Sequence, residues 1–340
     1  MAETVLRVRN LKTRFFTQDG VVAAVDGLSF DVAAGEIVGL VGESGCGKST
    51  AALSFMRLVP NPGRIVDGEI IIDGRDVGRL SENEMRGFRG PKVAMIFQDS
   101  LAALDPTMMV GRQLMEPLRM HLGLSSREAR KRAIELLDRV GIPAAKTRLN
   151  EYSYQFSGGM RQRVMIAIAL SCNPRLLLAD EPTTALDVTI QRQILDLILE
   201  LRDERDAGVV LITHDVGVVA ETCDRVVVMY AGNAVETGPT EEVFLHARHP
   251  YTQGLLASTL DIGRDREHAL PAIAGMPPDL IDLPPGCRFQ PRCPIRMDIC
   301  SERMPDLMRV GDRHEAACWR VLTRERVSAW DTLAKGSGNE

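Results

Sequence analysis

The sequence predicts an α/β fold built around a largely parallel sheet. Residues 37–41 and 209–212 are short, continuously apolar runs with the length of buried strands, and segments with helical spacing alternate with such runs over residues 1–260. Alternating strands and helices are typical of a sheet that carries helices on its faces. Residues 5–8 and 27–32 instead alternate apolar and polar side chains, which predicts an antiparallel set of half-buried strands near the N-terminus.

The helices are predicted from apolar spacing and from their ends. Residues 127–140 combine both signals, because Ser126 is a suitable N-cap and Glu128 and Arg132 lie four residues apart, as a helical ion pair requires. The other helices expected in this region cover residues 48–58 and 162–171, and a further buried strand covers residues 176–179.

The composition is that of a globular protein and excludes two classes of function. The chain has 340 residues, of which 45% are hydrophobic and 26% charged, and its net charge is -5. A mildly acidic chain lacks the clustered positive charge of a general nucleic-acid binder, so we expect no nucleic-acid partner. No apolar run approaches the roughly 18 residues of a membrane helix, and the N-terminus lacks the pattern of a signal peptide. We therefore expect a cytoplasmic protein.

The amino-acid composition of the chain changes after about residue 260, where proline becomes frequent. Proline fixes φ and removes a backbone donor, so a proline-rich stretch cannot form a regular helix or sheet. The sequence therefore predicts a main domain over residues 1–260, a loop-rich C-terminal extension over residues 261–325 and a tail over residues 326–340. The prolines that mark the extension are at positions 271, 277, 278, 284, 285, 291 and 294.

The loop after the first buried strand has the pattern of a phosphate-binding loop. Gly42 to Ser49 reads G-x-x-x-x-G-K-S/T between a predicted strand and a predicted helix, which is the context that the pattern requires. Glycines let backbone N–H groups turn towards phosphate oxygens, Lys48 is expected to reach the β- and γ-phosphates, and Ser49 is expected to bind Mg²⁺. The residues expected to contact the nucleotide here are Gly42, Ser44, Gly45, Cys46, Gly47, Lys48, Ser49 and Thr50.

Cys46, inside this loop, has two interpretations. The dipole of the following helix favours a thiolate, which would make nucleotide binding sensitive to thiol reagents. Alternatively, Cys46 is a small residue at a variable position, which is the interpretation we prefer.

Two adjacent carboxylates, Asp180 and Glu181, end the apolar run that begins at Leu176. Asp180 is expected to hold Mg²⁺ directly or through water, and Glu181 is expected to polarise the attacking water as a general base. Such an ending is common on buried strands, so its meaning comes from the phosphate-binding loop upstream. Together the two motifs predict a site that hydrolyses a nucleotide.

A second helix start carries phosphate-binding features. Ser157, Gly158 and Gly159 precede an apolar helical segment and would present a hydroxyl and free backbone N–H groups at its N-terminus. One nucleotide does not need two such surfaces from one chain. Two chains facing head to tail would place each nucleotide between the phosphate-binding loop of one chain and the Ser-Gly-Gly segment of the other.

In this order and spacing, the motifs resemble those of the ATP-binding subunits of ABC transporters, over roughly residues 4–320. The resemblance implies a P-loop NTPase fold of the ABC ATPase type. Such a fold has a RecA-like core, an antiparallel β subdomain and a helical subdomain, here over about residues 99–170, to which the loop-rich C-terminal extension is added. The resemblance also implies that ATP and Mg²⁺ bind at the interface of two nucleotide-binding domains and that ATP is hydrolysed there.

The resemblance gives further residues a role. Gln98 matches the glutamine that contacts Mg²⁺ and couples to the membrane subunits, and His214 matches the histidine that senses the γ-phosphate. Asp187 matches a loop that crosses the dimer interface, and Phe15, or its neighbour Phe16, matches the aromatic residue that stacks on adenine. The expected catalytic residues are Glu181, His214 and Gln98.

Residues 156–167 and 249–253, with the cysteine-bearing tail, are similar to the importer branch for oligopeptides, dipeptides and nickel. This likeness implies that ATP hydrolysis energises peptide import, with nickel or an oligosaccharide as alternative cargoes. The implied partners are a second ABC ATPase subunit, either a copy or a paralogue, two transmembrane permease subunits and an extracytoplasmic substrate-binding protein. The chain would lie peripherally at the cytoplasmic face of a prokaryotic inner membrane.

The segment after Gln98 is a candidate contact surface for a membrane subunit. Residues 104–106 and 108–110 are expected either to line a groove for a short permease helix or to belong to the core of the helical subdomain. The sequence leaves both interpretations open.

Four of the cysteines, Cys287, Cys293, Cys300 and Cys318, fall in the extension. In a reducing compartment such a group indicates a metal rather than disulfides, although the spacing matches neither a zinc ribbon nor a ferredoxin. Four thiolates suit an iron–sulfur cluster or Zn²⁺, and a metal-free extension stays open. The likeness to the importer branch favours a 4Fe–4S cluster that staples the extension.

Two other classes of function compete with a transport ATPase. A soluble ABC-type ATPase of DNA repair would carry a long insertion between Thr50 and Ser157, and one of translation would carry a second ATPase domain; the sequence has neither. A non-catalytic binding module is disfavoured because Glu181 and His214 are both present.

Overall fold

The computed structural model describes residues 3–183, 186–259 and 273–323. The predicted boundary near residue 260 and the predicted tail lie outside these ranges, so the predicted domain limits stay predictions. The chain folds into two compact units, which are described in turn. As far as they are described, unit 1 comprises residues 1–7, 31–37 and 70–212, and unit 2 comprises residues 8–30, 38–69 and 213–340.

The strands and helices follow the chain in the order expected for an α/β protein. The strands are β1 (Thr4–Phe16), β2 (Val21–Ala33), β3 (Ile37–Val41), β4 (Gly63–Ile72), β5 (Arg75–Asp76), β6 (Val93–Ile96), β7 (Leu176–Asp180), β8 (Gly208–Ile212), β9 (Arg225–Tyr230), β10 (Asn233–Pro239), β11 (Met308–Gly311) and β12 (His314–Ala316). The helices are α1 (Lys48–Phe55), α2 (Glu82–Phe88), α3 (Ser100–Ala103), α4 (Val110–Leu122), α5 (Ser126–Arg139), α6 (Ala145–Arg148), α7 (Gly158–Leu170), α8 (Val188–Arg205), α9 (Val216–Thr222), α10 (Thr240–Leu245), α11 (Pro250–Thr259) and α12 (Ile299–Glu302).

The core of unit 1 contains the parallel strands β6, β7 and β8. Ala94 lies opposite Leu177, and Leu177 lies opposite Val209. Every residue of these strands is buried, which explains why their sequences are continuous apolar runs. Helix α7 packs against β6 and against α3, α4 and α5. Asp180, the last residue of β7, is therefore placed by a buried strand.

Unit 2 contains a mixed sheet that includes part of the extension. Strands β3 and β9 pair in parallel, with Val41 opposite Val228, and β10 pairs antiparallel with β9. Strand β12 then pairs antiparallel with β10, with Glu236 opposite Ala316, and β11 pairs with β12. In unit 1, the short strand β5 pairs antiparallel with the end of β4, with Ile72 opposite Arg75.

The extension is only partly the loop-rich segment that the prolines predict. Between residues 273 and 294, all of which the structure describes, the chain forms one turn of 3₁₀ helix, at Gln290–Arg292, and neither a strand nor an α-helix. The hairpin of β11 and β12 was missed, because its strands have 4 and 3 residues and carry no strand-length apolar run.

Two predicted helix ends are wrong. Helix α1 ends at Phe55 rather than Leu58, since Arg57 takes a left-handed φ of 52°. The predicted helix over 162–171 begins earlier, at Gly158, because Ser157 caps it.

The N-cap of α5 is Ser125 and not Ser126. The Ser125 hydroxyl accepts a hydrogen bond from the Glu128 N–H (3.3 Å), and the Glu128 carboxylate accepts one from the Ser125 N–H (2.9 Å), which together form a capping box. Glu128 is thus engaged at the cap, and the expected Glu128–Arg132 pair is replaced by one between Arg132 and Glu135 (3.3 Å).

The segment after Gln98 divides between core and surface. Leu104 and Val110 are 2% and 0% exposed, whereas Met109 is 42% exposed. Each of the two interpretations thus holds for part of the segment. Within the described ranges, no helix is both long and apolar enough to span a membrane.

The capping box generates a stability prediction. We expect Ser125→Ala to lower the free energy of unfolding by about 1 kcal/mol, because the backbone N–H groups of the first turn of α5 lose their acceptor. Ser126→Ala is the matched control and should change it by less than about 0.5 kcal/mol. Chemical denaturation of both variants measures the difference, and a larger loss in Ser126→Ala would contradict the assignment of the cap.

Candidate active site

The phosphate-binding loop of unit 2 runs from the end of β3 to the start of α1. Its glycines take positive φ values of 152° at Gly42, 79° at Gly45 and 104° at Gly47. A Cβ on Gly42 would collide with the Met229 carbonyl, and a Cβ on Gly47 would collide with the Ala24 carbonyl. Glycine is therefore required at both positions for backbone conformation and for space.

Lys48 lies inside the loop and is 7% exposed. Its Nζ donates hydrogen bonds to the carbonyls of Gly42 (2.8 Å) and Glu43 (2.9 Å). The positive charge of Lys48 thus lies in the loop where the sequence pattern predicts that phosphate binds. Ser49 and Thr50 follow in the first turn of α1 and are half-buried.

Cys46 is a buried thiol. Burial raises its pKa, and the nearby Lys48, whose Nζ lies 3.7 Å from the sulfur, only partly opposes this effect. The structure therefore favours the interpretation of Cys46 as a small buried residue over that of a reactive thiolate.

Unit 1 brings Gln98 and Glu181 together. The Gln98 Nε2 donates a hydrogen bond to the Glu181 Oε2 at 3.1 Å. Glu181 itself has a left-handed φ of 47°, and its N–H donates to the Ile212 carbonyl at 2.8 Å. A non-glycine residue held in this region carries backbone strain, which clusters at functional sites. Its neighbour Asp180 is 3% exposed at the end of β7.

The Ser-Gly-Gly segment of unit 1 starts helix α7. Ser157 is its N-cap and its hydroxyl accepts a hydrogen bond from the Met160 N–H at 3.3 Å. A Cβ on Gly159 would lie 3.3 Å from the Leu186 side chain, whereas a Cβ on Gly158 would meet no atom within 4 Å. Gln162, one turn later, donates to the Pro182 carbonyl at 3.1 Å, so α7 is tied to the segment that follows Glu181.

The remaining predicted site residues are placed as follows. Asp187 caps α8, where its carboxylate accepts from the Ile190 N–H at 3.0 Å, and its predicted motif partner Ala185 lies outside the described residues. His214 is exposed just after β8. Phe15 is half-buried and packs against Gly63, while Phe16 is 38% exposed and carries the Arg64 guanidinium 4.1 Å from its ring centroid.

Sequence reasoning missed the contacts that α11 and the extension make with the phosphate-binding loop. Arg292 forms an ion pair with Glu43, a variable position of the loop, at 2.7 Å. Tyr251 accepts a hydrogen bond from the Glu43 N–H at 2.7 Å. These two partners of Glu43 are more than 200 positions away in the chain, and the sequence pattern of residues 249–253 does not indicate a contact with the loop.

The four cysteines of the extension are free thiols. Burial, with smaller contributions from the charges of Cys300 and Cys318, raises the pKa of Cys287 to about 11 and that of Cys293 to about 12. In the described part of the chain, no three His, Cys, Asp or Glu side chains are placed so that they could hold a metal ion. The structure therefore does not support the predicted metal site.

Comparison with known proteins decides the family. Residues 25–184 match the family model described as ABC transporter, and residues 235–300 match the one described as oligopeptide/dipeptide transporter, C-terminal region. The chain is 50% identical to a probable peptide ABC transporter ATP-binding protein of Sinorhizobium fredii, over 94% of this chain and 96% of the relative. This chain belongs to the ABC transporter family of ATP-binding proteins.

Other relatives and a solved structure agree. This ABC ATPase is 50% identical to the dipeptide transport ATP-binding protein DppD of Bacillus subtilis, over 93% of this chain and 95% of that one. It is 49% identical to the oligopeptide transport ATP-binding protein OppD of the same organism, over 93% and 88%. It is also similar to a dimeric ATP-binding cassette in a post-hydrolysis state with ADP and Pi bound, with a TM-score of 0.64 and 29% identity over 69% of this chain and 98% of that chain. The predicted P-loop fold of the ABC ATPase type is confirmed.

The loop geometry predicts unequal effects of two alanine substitutions. In Gly47→Ala, the new Cβ meets the Ala24 carbonyl at a positive φ, so we expect the Kd for Mg-ATP to rise by at least tenfold. In Gly45→Ala, the φ is also positive but the space is open, so strain alone should raise the Kd by less than about tenfold. Titration of each purified variant with Mg-ATP measures the difference, and equal binding by both would show that the Ala24 carbonyl does not restrict the loop.

Proposed function

We propose that this ABC ATPase hydrolyses ATP to energise the import of dipeptides and oligopeptides. The observation that carries the proposal is the match of residues 235–300 to the C-terminal region of oligopeptide and dipeptide transporters, beyond the cassette itself. Relatives named for peptide transport cover more than nine-tenths of the chain at 48–50% identity, which supports the same cargo.

We propose roles in ATP hydrolysis for the predicted site residues. Lys48 exchanges its carbonyl partners in the loop for the β- and γ-phosphates. Ser49, Gln98 and Asp180 offer hydroxyl, amide and carboxylate oxygens, which is the hard donor set that Mg²⁺ prefers, and the bound ion would neutralise phosphate charge. Glu181 takes the proton of the attacking water, and its hydrogen bond from Gln98 orients the carboxylate.

His214 and the aromatic residues complete the proposed site. His214 is exposed just after β8, and its imidazole would donate a hydrogen bond to a γ-phosphate oxygen. Phe15 or Phe16 would stack on adenine; Phe16 is the more exposed of the two, although Arg64 lies over its ring.

We propose that the Ser-Gly-Gly segment binds the nucleotide of a second ABC ATPase subunit. Its support is the position of Ser157 and Gly158 at the exposed N-terminus of the 13-residue helix α7, where backbone N–H groups and the helix dipole favour an anion. Asp187, at the start of α8, would lie at the interface between the subunits. The partner is a copy of this chain or a paralogue.

We propose further that the chain works with two transmembrane permease subunits and an extracytoplasmic substrate-binding protein, at the cytoplasmic face of the membrane. Exposed apolar side chains near the start of the helical region support a contact with a permease. They are Leu101 (64%), Met109 (42%) and Met120 (63%).

The role of Glu181 and the cargo are tested together with Glu181→Gln. Removing the general base should leave Mg-ATP binding within about threefold and slow hydrolysis by at least about 100-fold. Uptake of a labelled dipeptide by cells that express the variant should fall to background, while the exposed Glu302→Gln control keeps normal uptake.

The outcomes of this experiment are distinct. Retained ATP hydrolysis in Glu181→Gln would show that Glu181 is not the general base. Lost hydrolysis with undiminished dipeptide uptake would contradict either the cargo or the need for hydrolysis at this site, and nickel and oligosaccharide uptake would then be measured.

The 4Fe–4S cluster stays a prediction, with Zn²⁺ as its alternative. Its support is that the charges of Cys300 and Cys318 raise the pKa of both Cys287 and Cys293, although within the described residues the thiols as placed do not form a metal-holding group. Anaerobically purified protein should be brown and contain about four iron and four sulfide per chain. A variant with all four cysteines changed to serine is the control. Colourless protein without metal would refute the prediction.

A further inference from the structure

Arg292 of the extension binds the side chain of Glu43 in the phosphate-binding loop. The Arg292 Nη1 lies 2.7 Å from the Glu43 Oε2, and the Arg292 Nη2 lies 3.0 Å from the Glu43 Oε1. This is the bidentate geometry in which a guanidinium binds a carboxylate most strongly. The Arg292 side chain is 5% exposed and that of Glu43 is 27% exposed, so the pair is largely shielded from water.

The guanidinium is held in place independently of Glu43. Its Nε donates to the Ala274 carbonyl at 3.0 Å, its Nη2 to the Ile273 carbonyl at 3.3 Å and its Nη1 to the Tyr230 hydroxyl at 3.3 Å. The hydrogen bonds to Glu43 raise the pKa of Arg292 above the ordinary arginine range. Arg292 is therefore a fixed positive charge to which the loop is attached.

Glu43 is restrained through its main chain as well. Its N–H donates to the Tyr251 hydroxyl, and its carbonyl accepts from the Lys48 Nζ. Tyr251 is fully buried against Tyr230 and Phe289, with ring centroids 4.6 Å and 5.6 Å away. The second residue of the loop is thus held by α11, by the extension and by Lys48.

Electrostatics gives this arrangement a functional meaning. A carboxylate in a loop that binds a polyphosphate repels this anionic ligand. An unpaired charge a few ångströms from the phosphates changes the Kd by on the order of tenfold. A bidentate arginine cancels that charge and fixes the carboxylate in one orientation. The Lys48 charge, which also faces this region, is then available to the phosphates.

We propose that Arg292 is a positioning residue for nucleotide binding, which acts by neutralising and orienting Glu43 in the phosphate-binding loop. The extension is then part of the nucleotide site and not an independent appendage. The inference rests on the proposed role of the loop in binding ATP.

A purely structural tie makes a different prediction. It would stabilise the fold, so its loss would lower the melting temperature while the folded protein still bound ATP normally. A charge-neutralising residue has a second signature, because removing the carboxylate that it neutralises should compensate for its loss.

The test is a double-mutant cycle in the full-length chain. Kd is measured with Mg²⁺ and a non-hydrolysable ATP analogue, and KM and kcat are measured for ATP, in Arg292→Gln, Glu43→Gln and the double variant. Arg292→Lys keeps the positive charge but loses the bidentate contact with the Glu43 carboxylate. Arg309→Gln is the matched control, since Arg309 pairs with Asp312 on the exposed surface of the same extension.

We expect Arg292→Gln to raise the Kd about tenfold and KM similarly, with kcat at saturating ATP within about twofold, because the lost interaction acts on binding. The double variant should return to within about threefold of wild type. Arg292→Lys should show a smaller rise than Arg292→Gln, and Arg309→Gln no change. Added salt should reduce the rise in Kd caused by Arg292→Gln, since screening weakens the repulsion between the unpaired Glu43 carboxylate and the phosphates.

Two results would overturn the inference. One is an unchanged Kd in Arg292→Gln, and the other is a double variant that binds no better than Arg292→Gln. If Arg292→Gln does not fold, Glu43→Gln and Arg292→Lys still test the inference. It requires Glu43→Gln to bind ATP at least as well as wild type and Arg292→Lys to bind it less well than wild type. Lys48→Ala separates the two proposals: normal ATP binding by this variant would contradict the role of the loop itself.

Discussion

A loop that binds phosphate through its own backbone has no side-chain core, so its shape depends on the groups packed around it. In unit 2 the main chain of β9 and β2 comes so close to Gly42 and Gly47 that no Cβ fits at either position. These contacts enforce positive φ values that other residues rarely adopt. Lys48 donates hydrogen bonds to two carbonyls of this loop, and under the proposed function it exchanges them for phosphate oxygens.

In unit 1, the backbone conformation of a proposed site residue is strained. Glu181 sits in a left-handed conformation that costs on the order of 1–3 kcal/mol for a residue with a side chain. Buried strand β7 on one side and the hydrogen bond of its N–H to the last residue of β8 on the other fix this conformation. The hydrogen bond between Gln162 and Pro182 ties the next residue to α7. The residue that follows the proposed general base is therefore held by a buried side chain of α7.

The sequence was informative where function depends on residues close together in the chain. The phosphate-binding loop, the Asp180–Glu181 pair and the buried strands are local patterns, and the fold that they predict is confirmed. The cap of α5 was placed one residue too late, because two serines are adjacent and only the position of Glu128 as third residue of the helix distinguishes them. The link between Arg292 and Glu43 spans 249 positions, and a variable position of a loop gives no sign of its partner. In the same segment the cysteines suggested a metal, whereas the structure shows arginine contacts.

Residues 287–293 combine these features in one turn. Arg288 binds the Ala231 carbonyl and Asp26, Phe289 is 1% exposed among aromatic rings, and Arg292 holds Glu43. The N–H of Cys287 donates to the Cys300 carbonyl at 2.8 Å, which fastens the start of the turn to the rest of the extension. Cys287 and Cys293, at the two ends of this segment, flank Arg288 and Arg292, so the thiols and the paired charges share one short stretch of main chain. The proposed role of Arg292 in nucleotide binding therefore depends on a short segment whose first residue, Cys287, is hydrogen-bonded to the rest of the extension.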